Sequence, residues 1–140
     1  MAKKKQVLTF EYDFDFSLYG IICHLKDYRL CYEVNTALGI DLKKADNLDI
    51  LINKQKERSE FSLYTFESAE EKTIHVIGNK NTRGCLIPEQ YQVDYFLMLK
   101  GSFRDNEKES IKNKIKNSKI VLGIYEISVS SLKSRENLIF

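Results

Sequence analysis

Leu8, Phe10, Tyr12, Phe14 and Phe16 share one parity of the chain, and Thr9, Glu11, Asp13 and Asp15 share the other. Side chains alternate across a strand, so this segment predicts a half-buried β-strand with its aromatic face inward and its acidic face outward. The spacing then changes. Leu18, Ile21, Ile22 and Leu25 recur at helical intervals, with Asp15 or Ser17 placed to cap a first helix. From Leu30 the apolar positions are 30, 31, 34 and 38, a face rotated by about half a turn at about 100° per residue. One straight helix cannot bury both faces. The pattern therefore predicts a break near Lys26-Asp27, with Asp27 capping a second helix that ends at Leu38. Gly39 then takes the left-handed position and Ile40 closes the turn.

Leu48 to Ile52, Phe61 to Phe66 and Ile74 to Ile77 are short runs rich in aromatic and β-branched residues, divided by polar segments such as Lys54 to Ser59. They predict an antiparallel meander. Val93 to Leu99 and Ile120 to Ile127 are apolar on both parities apart from Asp94 and Glu126, the pattern of central strands covered on both sides. A helix is expected from about Asp105 to Asn117, capped by Ser102 or Asp105. The last residues, Asn137 to Phe140, are apolar to the end and suggest docking rather than fraying. Together these elements predict a single α+β domain over residues 1–140. It is mainly an antiparallel β-sheet, with N-terminal helical segments and a further helix packed mainly on one face.

Composition narrows the class. With 140 residues, 43% of them hydrophobic and only one Pro, the chain is long enough to bury a core without staples and too apolar for disorder. No apolar run approaches the roughly 20 residues of a membrane span. Met1 to Lys5 is basic like a secretory leader, but the alternation from Gln6 to Phe16 offers no continuous apolar segment, so no leader is expected. Cys23, Cys31 and Cys85 are odd in number and lack CxxC spacing, as expected of reduced thiols in a cytoplasm. The net charge of +2 is small, yet unevenly spread: Glu57 to Lys72 holds five acids against two bases, and Ser110 to Lys119 holds four Lys and no acid.

The segment Ile87-Pro88-Glu89-Gln90-Tyr91-Gln92-Val93-Asp94-Tyr95 reproduces the pattern IPExxxVDY at all six specified positions. In this, in its length and in its Leu-Ile-Phe end, the chain resembles the IPExxxVDY family of small bacterial proteins found mainly among Bacteroidetes. The resemblance implies a small cytoplasmic bacterial protein; it supplies no activity and no functional residue. Physically, Pro88 fixes its own φ and pushes Ile87 into an extended conformation, which turns the chain into the strand expected from Val93. Glu89 and Asp94 are expected to act structurally, as caps or in ion pairs with a base such as Arg83 or Arg29. On an extended segment they face opposite sides about 17 Å apart, too far to work as an acid/base pair.

Lys108, Lys112, Lys116 and Lys119 fall within about 80° of one another on an α-helix and form a ridge. Like charges at i, i+4 destabilise mildly unless an acidic protein surface or a phosphate backbone lies opposite; otherwise their stems lie along Ile111 and Ile115 with the ammonium groups in water. Tyr64, Phe66 and Phe96 are expected in the core. No RNP1 consensus, GXXG loop or zinc finger accompanies them. His24, His75 and the three Cys have no zinc-type spacing, and Glu11, Asp13 and Asp15 stand about 7 Å apart on one strand face, so no metal and no cofactor are expected.

Three functions follow in order. The first is a non-catalytic protein-interaction or regulatory module whose partner is another protein, using the Lys ridge, the acidic strand face or the apolar C-terminus. The second is an RNA-binding accessory protein using the Lys ridge. The third is a small enzyme with a site near Cys85, Glu89 and Asp94, to which His75 would have to come close. Open sheet edges also allow a homo-oligomer. No membrane partner is expected.

Overall fold

The computed structural model describes residues 15–51 and 57–140. Most of the first predicted strand, and with it Glu11 and Asp13, lies outside them. The elements run β1 (Phe16–Ile22), α1 (Asp27–Leu38), β2 (Lys43–Lys44), β3 (Leu48–Leu51), β4 (Arg58–Phe61), β5 (Leu63–Glu67), β6 (Lys72–Gly78), β7 (Lys80–Asn81), β8 (Gly84–Cys85), β9 (Tyr95–Gly101), α2 (Asp105–Lys116) and β10 (Gly123–Ile127). Short 3-10 turns follow at Pro88–Gln90, Val129–Ser131 and Arg135–Leu138. Six strands form one antiparallel sheet in the order β10-β1-β9-β6-β5-β2, and β3 with β4 and β7 with β8 form separate pairs. The architecture is α+β, as the sequence predicts.

Both faces of the sheet are covered. Tyr19, Ile21, Ile74, Val76, Leu97 and Leu99 point to the side where Leu30, Cys31 and Val34 of α1 and Ile115 of α2 pack. Leu18, Ile77, Phe96 and Met98 point to the other side, where Phe61 of β4, Leu86, Ile87, Val93, Leu132 and Leu138 close a second apolar layer. Both long helices therefore lie on one face. The opposite face is roofed by a strand pair, the Ile87 to Val93 turn and the C-terminal turns.

This two-sided burial corrects the helix expected over Leu18 to Leu25. Leu18 to Ile22 instead belong to β1, an interior strand between β9 and β10, and Cys23 to Leu25 lie in the link that follows it. A strand buried on both faces is apolar at consecutive positions, and such a short run also satisfies helical spacing. The break expected near Lys26-Asp27 is the start of α1, which follows the strand after a short link. Beyond it α1 spans the expected residues: Gly39 is left-handed at φ 66° and donates to the Asn35 carbonyl at 2.8 Å. Lys26, not Asp27, occupies the N-cap. Asp27 is the first helical residue, where its carboxylate accepts the Tyr28 N–H at 2.7 Å and complements the helix dipole.

Three further expectations change. The meander loses β3, which pairs with β4 instead of the main sheet, so Arg58 and Ser59 belong to a strand rather than to a polar spacer. β10 is an edge strand, not a central one, and begins only at Gly123; it is covered on both faces, with Ile124 buried on the helical side and Ile127 on the other. α2 has Arg104 at its N-cap, and it is the Glu107 side chain that accepts the Arg104 N–H, at 3.1 Å.

Gly20, in the middle of β1, faces Val93. A Cβ there would stand 2.8 Å from Val93 Cγ2 and 2.9 Å from Ile127 Cδ1, so the turn and the edge strand close down on bare backbone. Gly20→Ala is expected to lower stability by about 1–3 kcal/mol through overpacking, read as a lower urea midpoint at unchanged slope.

Candidate functional site

The IPExxxVDY segment is built around a residue outside it. Asn79, at the end of β6, is fully buried. Its Oδ1 accepts the Ile87 N–H at 2.9 Å, and its Nδ2 donates to the Gln90 carbonyl at 2.9 Å and the Val93 carbonyl at 2.8 Å. Its backbone N–H donates to the Asp94 carbonyl at 3.0 Å and its carbonyl accepts the Leu86 N–H at 2.8 Å. One side chain thus satisfies three polar groups of a turn that leaves the sheet at Leu86 and rejoins it at Asp94.

Each specified residue of the segment then has a place. Ile87 and Val93 are buried in the layer below the sheet. Pro88 opens the 3-10 turn, with Ile87 extended before it at φ −121° and ψ 90°. Because the turn folds the segment back, strand β9 begins at Tyr95 rather than Val93. Glu89 accepts the Ser134 N–H at 2.6 Å and its hydroxyl at 2.9 Å, tying the turn to the C-terminal segment. Partial burial pushes the Glu89 carboxyl up, but hydrogen bonds from the backbone of Ser134, Glu89 and Lys133 and from the Ser134 hydroxyl outweigh it and hold its pKa below the ordinary value.

Asp94 accepts the Cys23 N–H at 2.9 Å on one oxygen and pairs with Lys80 at 3.0 Å on the other. The Tyr95 hydroxyl donates to the Leu25 carbonyl at 2.7 Å. These two residues fasten the chain between β1 and α1. Neither predicted arginine is the partner of either acid: Lys80 pairs with Asp94, a serine serves Glu89, and Arg83 lies 3.6 Å from Glu57.

Beside Asp94 and Tyr95 lies an open cleft of about 570 Å³, floored by Cys23 and Gly78 and rimmed by His24, Lys26, Glu60 and Lys80. It gathers a thiol, an imidazole and carboxylates, a grouping hidden from the sequence because residues 18–25 have helical spacing. The thiol is not set up as a nucleophile. Burial pushes the Cys23 pKa up, outweighing the lowering by a hydrogen bond with the Leu25 backbone, and the Asp94 carboxylate adds a smaller upward push, whereas a reactive cysteine needs it lowered. Asp94 already accepts two bonds. Among the described residues no group of three or more His, Cys, Asp or Glu is arranged to hold a metal ion.

The other candidates stand apart. Cys85 is half-buried in the short β8, beside Lys80 of β7. His75 is buried on β6, with Nδ1 2.8 Å from the Thr65 hydroxyl and its ring edge-on to Phe140 at 5.1 Å. Burial and then the charge of Lys100 push its pKa down to about 4, so it is neutral at pH 7. His75 lines a different cleft from Asp94, and none of three surface clefts is lined by two of Cys85, His75, Glu89 and Asp94. Cys31 is buried on α1, where desolvation and then Asp27 push the thiol up to about 12. Phe96 is buried in the core; Tyr64 and Phe66 pack half-buried against the helical side.

Lys108, Lys112 and Lys116 line one side of α2, but Lys119 falls beyond its last residue, so the ridge is three residues on the helix and one past it. Asp105 and Glu109 share that side, and a phosphate backbone tracking the helix would meet carboxylates. At the C-terminus Leu138 is buried, while Ile139 and Phe140 are 43% and 45% exposed, so docking rests on the leucine and on the Phe140 ring against His75. Asp15 is exposed.

No family model matches the chain, and no curated protein matches it.

Replacing Asn79 leaves three backbone groups without this partner, those of Ile87 and Val93 buried and that of Gln90 partly buried, at about 1–3 kcal/mol for each buried one. Asn79→Ala is expected to cost about 3 kcal/mol or more in urea unfolding. A cost below about 1 kcal/mol would mean that the turn does not depend on this side chain.

Proposed function

We propose that this chain is a bacterial cytoplasmic protein of the IPExxxVDY family and acts as a non-catalytic protein-interaction module. The observation that carries this reading is a pair of aromatic side chains the fold leaves uncovered. Tyr28 and Tyr32, one turn apart on α1, are 59% and 68% exposed, with Leu25 just before them at 37%. On the same helix Leu30, Cys31 and Val34 are buried, so the tyrosines form a separate flank rather than the margin of the core. Exposed Tyr at helical spacing supplies apolar area and a hydrogen-bonding tip at low entropic cost, the composition favoured at the centre of protein interfaces.

The polar side chains of the motif support the same reading, because Glu89, Asp94 and Tyr95 use their polar atoms to hold chain segments together. All three thiols are free, in keeping with a reducing compartment. No described helix is long and apolar enough to cross a membrane. The partner is another protein whose docking surface offers an apolar groove with hydrogen-bond acceptors at its rim.

Cross-linking in the native cytoplasm, followed by affinity purification with and without RNase, tests this. A folded Tyr28→Ser/Tyr32→Ser variant is expected to bind the captured protein at least about tenfold more weakly than wild type, with recovery by wild type insensitive to RNase. Equal recovery by the variant, or loss of the captured protein on RNase treatment, contradicts it; the latter result would favour RNA as the partner.

A further inference from the structure

The two edges of the main sheet are unlike. At one edge β2 is only two residues long and both are Lys, a common guard against edge pairing. At the other, β10 reads Gly-Ile-Tyr-Glu-Ile, with no Pro or Lys, and β1 is its only strand neighbour among the described residues. Leu122, directly before it, is 64% exposed and in line with Ile124 and Glu126 on the helical side of the sheet. This edge offers backbone donors and acceptors with an uncovered leucine beside them.

The helix above that edge carries the complement. Asp105, Glu109, Lys112 and Lys116 fall at i, i+4, i+7 and i+11, a stripe within about 60° on α2. Glu107, on the opposite side of the helix, reaches Lys72 of β6 at 2.6 Å. The stripe is thereby turned away from β6, toward β10. Glu107 is in the first turn of α2, and its partner Lys72 sits at the start of β6, opposite the Gly101 end of β9, which is the end of the sheet where Phe16 begins β1 and Ile127 closes β10. The acidic half of the stripe therefore lies at the Ile127 end of β10, and the basic half toward the Gly123 end. None of the four stripe side chains has a salt-bridge partner among the described residues.

We propose that β10 pairs antiparallel with β10 of a second copy of this chain, about a two-fold axis near Tyr125, so that the stripes on the two α2 helices meet head to tail. The two-fold reverses the direction of the second helix and sets Asp105 and Glu109 of one copy against Lys112 and Lys116 of the other, twice over. An isologous contact must be self-complementary in this way. Glu126 falls opposite Ile124 of the second copy, so no like charges meet in the strand pair. Strands in a sheet lie about 4.8 Å apart, so helices that contact β10 and share a core with Tyr19 and Ile21 of β1 come within about 15 Å, a gap that Lys and Glu side chains bridge. The like-charged lysines on α2 thus gain the acidic surface that relieves their repulsion.

Sedimentation equilibrium at about 100 μM, well above a micromolar Kd, is expected to give a dimer that weakens as salt rises. Lys112→Glu/Lys116→Glu makes the stripe wholly acidic and is expected to yield a folded monomer by circular dichroism. Adding Asp105→Lys and Glu109→Lys to that variant restores opposite halves and should restore the dimer. Amide exchange at Gly123 to Ile127 should slow with concentration. A monomeric wild type, a dimer indifferent to the double reversal, failure of the fourfold exchange to restore association, or concentration-independent exchange along β10 would each overturn the proposal.

Discussion

The buried amide of Asn79 holds together three parts of the chain that would otherwise have no reason to meet. A turn that crosses the lower face of a sheet carries backbone groups with no ladder to join, and burying them unpaired is costly. Asn79 answers with one acceptor and two donors on Ile87, Gln90 and Val93, and its own backbone closes the exit and the return. An amide is the side chain that can do both. A carboxylate would lose two donors and set charge against two carbonyls.

Once the turn is held, its apolar side chains can serve the core. Ile87 and Val93 fill the lower layer, and Val93 presses on Gly20, the point of β1 where a Cβ would not fit. The polar side chains of the segment then reach outward to three neighbours: Glu89 to Ser134, Asp94 to Cys23 and Lys80, Tyr95 to Leu25. The segment works as a junction between the sheet, the start of α1 and the C-terminus. That use of its ionisable groups holds them within the fold, and the exposed side chains lie elsewhere, on the tyrosine flank of α1 and the charged stripe of α2.

Much of the fold was legible in the sequence where one periodicity had one meaning. α1 and α2 each bury one stripe, and Gly39 marks an end only a left-handed residue makes well. β9 was legible because its apolar run is bounded by Pro88 and Gly101. β1 was not: both of its faces are buried, so its apolar residues matched a helix as well as a strand, and the cleft behind Cys23 and His24 vanished with that reading. β10 has an equally apolar pattern at an edge, since strand order is set by pairings that periodicity does not encode. The IPExxxVDY residues stood out as letters, but Asn79 did not. After Gly78 it reads as an ordinary turn residue, and only the fold reveals that its side chain is buried. The Lys ridge was visible without the carboxylates that share its side, because counting one charge type hides the other.

The central claim is that the Leu86 to Asp94 turn is part of the cooperative core rather than a loop resting on it. Native-state amide hydrogen exchange measures this residue by residue. The amides of Leu86, Ile87, Val93 and Asp94, which donate to Asn79, Gln90 and Ile21, should exchange only through global unfolding, with the same opening free energy as Leu97 in the middle of β9. Exchange at these four amides through a local opening several kcal/mol cheaper, while Leu97 stays protected, would contradict the account.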